Sequence, residues 1–96
     1  MKPSETLKLH RDAILNATKR FKVANPRVFG SVLHGTDTEE SDLDLLVDAL
    51  PGATLFDLGG LHYELEELLG VKVDLLTPLD ISHRFREKVL SEAKPI

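Results

Sequence analysis

The chain has no cysteine and no tryptophan, one tyrosine, one methionine and four phenylalanines in 96 residues. Without cysteine there is neither a disulfide nor a thiolate metal site, so any metal must be held by oxygen or nitrogen. The four histidines, His10, His34, His62 and His83, are scattered and give no zinc pattern. Long apolar runs are missing as well. Nothing approaches the roughly 20 residues of a membrane helix, and the N-terminus has no signal-peptide-like apolar segment. We therefore expect a cytoplasmic protein with no membrane association. Positive charge is also in deficit, with 12 Lys and Arg against 16 Asp and Glu and a net charge of −4. A nucleic-acid backbone selects a basic surface, so direct nucleic-acid binding is not expected. Neither Gly-x-x-x-x-Gly-Lys-Ser/Thr nor Gly-x-Gly-x-x-Gly occurs, which excludes a P-loop and a dinucleotide fingerprint.

What is present suffices for one core. Apolar residues make up 42%, and residues 1–96 read as one small domain. Leu7, Ile14, Ala17 and Phe21 form one stripe of a helix over about Ser4–Lys22, with Ser4 as its N-cap. Asn25-Pro26 then leads into a short strand, Arg27–Phe29. Ser31–Gly35 suits one or two helical turns, and a second strand runs Leu43–Val47. After a Pro51-Gly52 turn, Thr54 and Asp57 form a capping box for a helix over about Leu55–Leu69. Its buried stripe is Leu58, Leu61, Leu65, Leu68 and Leu69. Gly59 and Gly60 cost this helix about 1 kcal/mol each, which suggests close packing on the sheet. Gly70 suits its end. A third strand, Val71–Leu76, stops at Thr77-Pro78. A last helix, about Ile81–Ala93, uses Ile81, Phe85 and Val89 as its stripe. This order predicts an α+β domain: a small mixed sheet with helices packed on one face.

The most informative segment is Phe29 to Val47. A Gly30-Ser31 turn stands ten residues ahead of an Asp42-x-Asp44 pair that opens an apolar strand. Residues i and i+2 of a strand share a face, so the two carboxylates lie with Cα atoms roughly 6.5–7 Å apart. Like charges that close are costly unless a cation sits between them. Mg²⁺ suits such a site, since it is held by one or two carboxylates plus substrate phosphates. Gly30 lets the backbone approach an anion closely, and the N–H groups of a following helical turn point at it. From Asp37 to Asp48 there are six acids and no Lys or Arg. A solvated loop accounts for Asp37, Glu39 and Glu40 but not for Asp42 and Asp44. A phosphate cradle beside metal carboxylates suggests nucleotidyl transfer.

Asp74 is the single acid of the third strand, facing away from Val71, Val73 and Leu75. It is either an exposed acid paired with Lys72 or a third metal ligand beside Asp42 and Asp44. Two cations about 3.5–4 Å apart need more than two carboxylates, and a third carboxylate on that site is a natural base for an incoming hydroxyl.

Gly30-Ser31, Asp42, Asp44 and Asp74 together resemble the signature of the minimal nucleotidyltransferases of prokaryotes, members of the polymerase-β-like superfamily. The resemblance runs through the Leu-rich helix and the Val73-Asp74-Leu75-Leu76-Thr77-Pro78 segment. It implies an antitoxin encoded beside a helical HEPN-type ribonuclease toxin, transferring AMP from ATP to a tyrosine of that toxin. By position, Ser31 and the adjacent backbone would hold the β- and γ-phosphates. Asp42, Asp44 and Asp74 would bind Mg²⁺, with Asp74 also helping to activate the acceptor hydroxyl. One departure stands out. Many relatives carry arginines directly after the Gly-Ser, where this chain has Val32-Leu33-His34-Gly35. His34 takes the position of the final arginine and is either a phosphate contact or a surface histidine. Phosphate binding is then weaker, or the triphosphate is gripped from elsewhere.

Several other residues have plain readings. Arg27 reads as structural, Tyr63 as a half-buried packing residue and His62 as solvent-facing. His83, Arg84, Arg86 and Lys88 make the last helix basic, as a solvated face or in service of a phosphate or an acidic partner. A domain this small has little room for a second substrate pocket, so the acceptor is expected on another protein, in a hetero-oligomer. The rival reading is a non-catalytic antitoxin that neutralises its toxin by binding. Transfer to a small molecule such as an aminoglycoside would need an added domain.

Overall fold

The computed structural model describes all residues, Met1–Ile96. Its element order is α1 (Pro3–Leu9), α2 (Arg11–Arg20), β1 (Val23–Phe29), α3 (Gly30–His34), β2 (Leu43–Ala49), α4 (Leu55–Leu69), β3 (Val73–Leu76), a 3₁₀ turn (Pro78–Asp80), α5 (His83–Glu92) and β4 (Lys94–Pro95). The sheet order is β3-β2-β1-β4. β1 pairs antiparallel with β2 and with β4, and β2 pairs parallel with β3. This is the expected α+β architecture with a mixed sheet. No helix is long and apolar enough to cross a membrane.

The core follows from two periodicities meeting. β2 alternates, so Leu43, Leu45 and Val47 point together into the helix layer, and all are fully buried. α4 answers with Leu61, Leu65 and Leu69 at helical spacing, and α2 with Ile14 and Ala17. Val23, Val28 and Val73 complete the cluster from the flanking strands. Burying one such leucine contributes about 1.5–3 kcal/mol. α4 starts and stops where the sequence predicts. Thr54 Oγ1 accepts the Asp57 N–H, Asp57 accepts the Thr54 N–H, and Gly70 ends the helix at φ 66°.

Several expectations are corrected. The N-terminal helix is broken at His10 into α1 and α2, and its cap lies further upstream, where Glu5 accepts the Lys2 N–H. Ser4 is not the cap. Its N–H donates at 2.9 Å to Asp37, which is buried rather than solvated. That bond ties the first turn of α1 to the loop before β2, and a contact 33 residues away leaves no local trace in the sequence. β1 begins four residues before Arg27, because a bulge between Ala24 and Arg27 accommodates Pro26, with Asn25 left-handed at φ 56°. β3 begins at Val73 rather than Val71, and the two-residue β4 has no strand signal in the sequence.

The side-chain expectations change too. Leu68 is exposed, leaving Leu58, Leu61, Leu65 and Leu69 on the packed face. Tyr63 is 69% exposed and packs in no core, lying on the outer side of α4. Phe85 is more than half exposed, and the buried Ile81 lies before α5 rather than on it, since the helix begins at His83. Arg27 pairs with Asp48 on the neighbouring strand.

Gly59 and Gly60 part company. A Cβ at Gly60 would lie 2.8 Å from the Phe21 ring, so the close approach is to α2's end rather than to the sheet, while Gly59 faces open space. Gly60→Ala should therefore destabilise by about 1–3 kcal/mol through overpacking, despite alanine's better helix propensity. Gly59→Ala should stabilise by up to about 1 kcal/mol. Urea unfolding of both variants checks the pair, and equal effects would refute this assignment of the two positions.

Candidate functional site

Leu43 and Leu45 commit β2 to one orientation, and that forces Asp44 onto the opposite sheet face. Asp42, just before the strand, is exposed; Asp44 is half-buried. On the neighbouring parallel strand Val73 is buried, so Asp74 takes the same outward face, and the register sets Asp44 directly opposite Asp74. On its other side Asp44 stands opposite Phe29, the residue before Gly30. A Cβ at Gly30 would lie 2.1 Å from Asp44 Oδ2, and Gly30 has φ +70°. Only glycine meets both demands. Ser31 follows, its hydroxyl without a hydrogen bond inside the chain, and Gly35 closes α3 at φ 72°.

Electrostatics separate Asp44 from its strand neighbour Asp48. The Arg27 guanidinium binds Asp48 through two hydrogen bonds of 3.1 Å, with a third of 3.1 Å from Asn25, and holds its carboxyl below the usual range. Asp44 lies on the same face of the same strand and has no cation. Burial, then the charges of Asp74 and Asp42, push its carboxyl up to about 6. Asp74 makes no ion pair with Lys72. As the side chains stand, no three acids or histidines close into a metal-ligand cluster. The donor set nonetheless fits a hard divalent cation such as Mg²⁺, because Asp42, Asp44 and Asp74 are all-oxygen donors, and none of them has an ion-pair partner in the chain.

β3 is an edge strand, and α4 holds it. His62 Nε2 lies 2.7 Å from the Val73 carbonyl oxygen, and Glu66 accepts the Val73 N–H at 2.9 Å. The two side chains are 3.4 Å apart, one helical turn from each other. Both outward peptide groups of Val73 are thus satisfied one residue before Asp74. The Val73 N–H, with His62 and Lys72 nearby, holds Glu66 below the usual carboxylate range. His62 is therefore a half-buried clasp, not a solvent-facing residue. Its i,i+4 spacing to Glu66 was the available signal, but nothing local indicated which strand the pair would meet.

His34 is exposed, with Nε2 4.0 Å from Glu92 of α5. With Phe29, Gly30, Leu33, Phe85, Lys88, Val89 and Glu92 it lines a cavity of about 250 Å³ between α3 and α5. Proximity of α5 to Gly30 could not be read from the chain, because it depends on how the helix returns after β3. Of its basic residues, Arg86 is engaged with the carbonyls of Pro78 and Ile81.

Residues 11–96 match the family of the nucleotidyltransferase domain. A Methanocaldococcus jannaschii protein named in the protein adenylyltransferase group is 42% identical over 71 residues, spanning 74% of this chain and 76% of the relative. The protein adenylyltransferase MntA of Thermococcus cleftensis is 37% identical over 86 residues, spanning 84% and 87%. The solved structure of a minimal nucleotidyltransferase superposes with a TM-score of 0.86 at 46% identity, over 97% of this chain and 95% of that one. A toxin–antitoxin complex solved with AMP-PNP shares the fold at a TM-score of 0.72 and 24% identity, over 88% and 69%.

The raised Asp44 pKa makes stability depend on pH. Between pH 3.8 and about 6 the folded chain keeps a proton that the unfolded chain has lost, so stability falls as pH rises through that interval and stays reduced above it. In metal-free buffer Asp44→Asn should melt higher than the unsubstituted protein at pH 7.5, with the difference vanishing below pH 3.8. Thermal melts across that range, with EDTA present, check the sign. Gly30→Ala should do the reverse, losing about 1–3 kcal/mol through positive φ and the contact with Asp44.

Proposed function

This chain belongs to the nucleotidyltransferase family, within its protein adenylyltransferases, and we propose that it transfers AMP from ATP to a tyrosine of a HEPN-type ribonuclease toxin. In this reading it is the toxin's antitoxin, acts in the cytoplasm and forms a hetero-complex with its target. The observation that carries the chemistry is the register of Asp44 against Asp74, with Gly30 pressed onto Asp44. Likeness to MntA of Thermococcus cleftensis, and to toxin–antitoxin complexes of the same fold, supports the partner class.

Asp42, Asp44 and Asp74 would hold Mg²⁺, and Gly30, Ser31 and His34 would receive the nucleotide's phosphates. Bound Mg²⁺ would neutralise the phosphates and stabilise charge on the attacking and leaving oxygens. The chain's own residues supply the rest. Gly30 leaves room for the Asp44 carboxylate at the strand end, and the free Ser31 hydroxyl donates to a phosphate oxygen. Asp74, exposed at the sheet edge, accepts the proton of the incoming hydroxyl. The acceptor oxygen attacks the α-phosphorus in line, forming the new O–P bond as the bond to the pyrophosphate oxygen breaks. The His62–Glu66 clasp keeps Asp74 in register with Asp44. In this reading the acceptor arrives on another molecule, the toxin.

Incubation with the toxin encoded beside it, Mg²⁺ and labelled ATP should label the toxin on tyrosine. Asp42→Asn and Asp44→Asn should each reduce labelling by at least about 100-fold. Toxin neutralised equally by both variants, with no label transferred by the unsubstituted protein, would establish neutralisation by binding instead.

A further inference from the structure

Resting on the transferase reading, we infer that Lys88 of α5 supplies the cation that grips the outer phosphates of the nucleotide, in place of the arginines missing after Gly30-Ser31. The segment Val32-Leu33-His34 carries no permanent positive charge. His34 is a weaker substitute, because an imidazole lacks the permanent charge and planar fork of an arginine, and it stands 4.0 Å from the Glu92 carboxylate. A phosphate chain lying on Gly30 and Ser31 must then find its cation elsewhere.

Four basic residues lie on α5, and the structure distinguishes them. Arg86 donates to the carbonyls of Pro78 and Ile81, so its guanidinium is spent holding the turn before the helix. Arg84 lies over the neighbouring Phe85 ring, 5.7 Å from its centroid. His83, at the start of the helix, does not line the cavity. Lys88 does line it, together with Gly30 and His34, and its ammonium makes neither a hydrogen bond nor an ion pair within the chain. It is the one lysine or arginine that lines the cavity beside Gly30.

The surroundings suit this role. Phe29, Leu33, Phe85 and Val89 are the cavity's apolar walls, and a charge pair beside such walls is less screened than one in open water. A lysine ammonium binds phosphate as a compact point charge and needs no bidentate geometry. The volume, about 250 Å³, is below the usual range for a complete small-molecule site, as fits a phosphate chain with the nucleoside outside.

The test measures binding of ATP, ADP and AMP by calorimetry with Mg²⁺, for the unsubstituted protein, Lys88→Ala, Lys88→Arg and Lys19→Ala as a distant control. Lys88→Ala should weaken ATP by roughly tenfold or more while leaving AMP within about twofold, and Lys88→Arg should restore most of the loss. His34→Arg placed in the Lys88→Ala background should also recover ATP binding, since it returns the missing arginine. Equal binding of ATP by Lys88→Ala and the unsubstituted protein overturns the lysine's role and leaves the transferase reading standing. Equal weakening of ATP and AMP overturns it as well. An unsubstituted protein that binds no ATP with Mg²⁺ overturns both.

Discussion

The parallel pairing of β2 with β3 is the constraint on which the rest depends. It places two carboxylates, Asp44 and Asp74, opposite each other on one sheet face, an arrangement that mutual repulsion opposes. What enforces it lies on the other face. Leu43, Leu45 and Val73 are buried against α4, and a one-residue slip would turn them out to solvent while carrying the aspartates into the core. Burial of several leucines and valines, each contributing about 1.5–3 kcal/mol, outweighs the repulsion between partly solvated carboxylates. The apolar face thus stabilises an unfavourable polar one.

The comparison of Asp44 with Asp48 shows that this is a local choice. Both lie on the same face of the same strand, four residues apart. Asp48 has Arg27 and Asn25 as partners, and its carboxyl is held low. Asp44 has only other acids within electrostatic reach, and its carboxyl is pushed up. A structural carboxylate brings its counter-charge within the chain; Asp44 does not, and under the transferase reading that charge comes from outside. Gly30 belongs to the same contrast, because the Asp44 carboxylate occupies the place where a side chain at Gly30 would stand.

Helices supply the precision that a four-residue edge strand lacks. β3 is paired on one side only, and α4 supplies side chains to the other, with His62 and Glu66 on the two outward groups of Val73. The same helix gives Leu61, Leu65 and Leu69 to the core, so the site's geometry and the fold's stability share one element. α5 completes the arrangement by returning across the molecule to face α3, bringing Lys88 beside Gly30. No one of these elements makes the site; it is shared among the ends of β1 and β2, the middle of β3 and the face of α5.

Much of this was legible along the chain because it is periodic or local. Leu43, Leu45 and Val47 at alternate positions of β2, with the helical spacing of Leu61, Leu65 and Leu69, marked the faces that form the core, whereas the burial of Leu46 on the other face of β2 was not marked. Thr54 with Asp57, and then Gly70, determined where α4 starts and stops, since capping acts over three or four residues. The spacing of Gly30-Ser31 to Asp42 and Asp44 disclosed the family. Long-range contacts were decided only by tertiary structure. These include the bond from Ser4 to the buried Asp37, the meeting of Gly60 with Phe21, the clasp of His62 and Glu66 on Val73, and the approach of Lys88 to Gly30. The physical reason is the same in each case. A hydrogen bond or packing contact between segments far apart in sequence needs a complementary partner rather than a pattern, and only the folded chain says which partner is near.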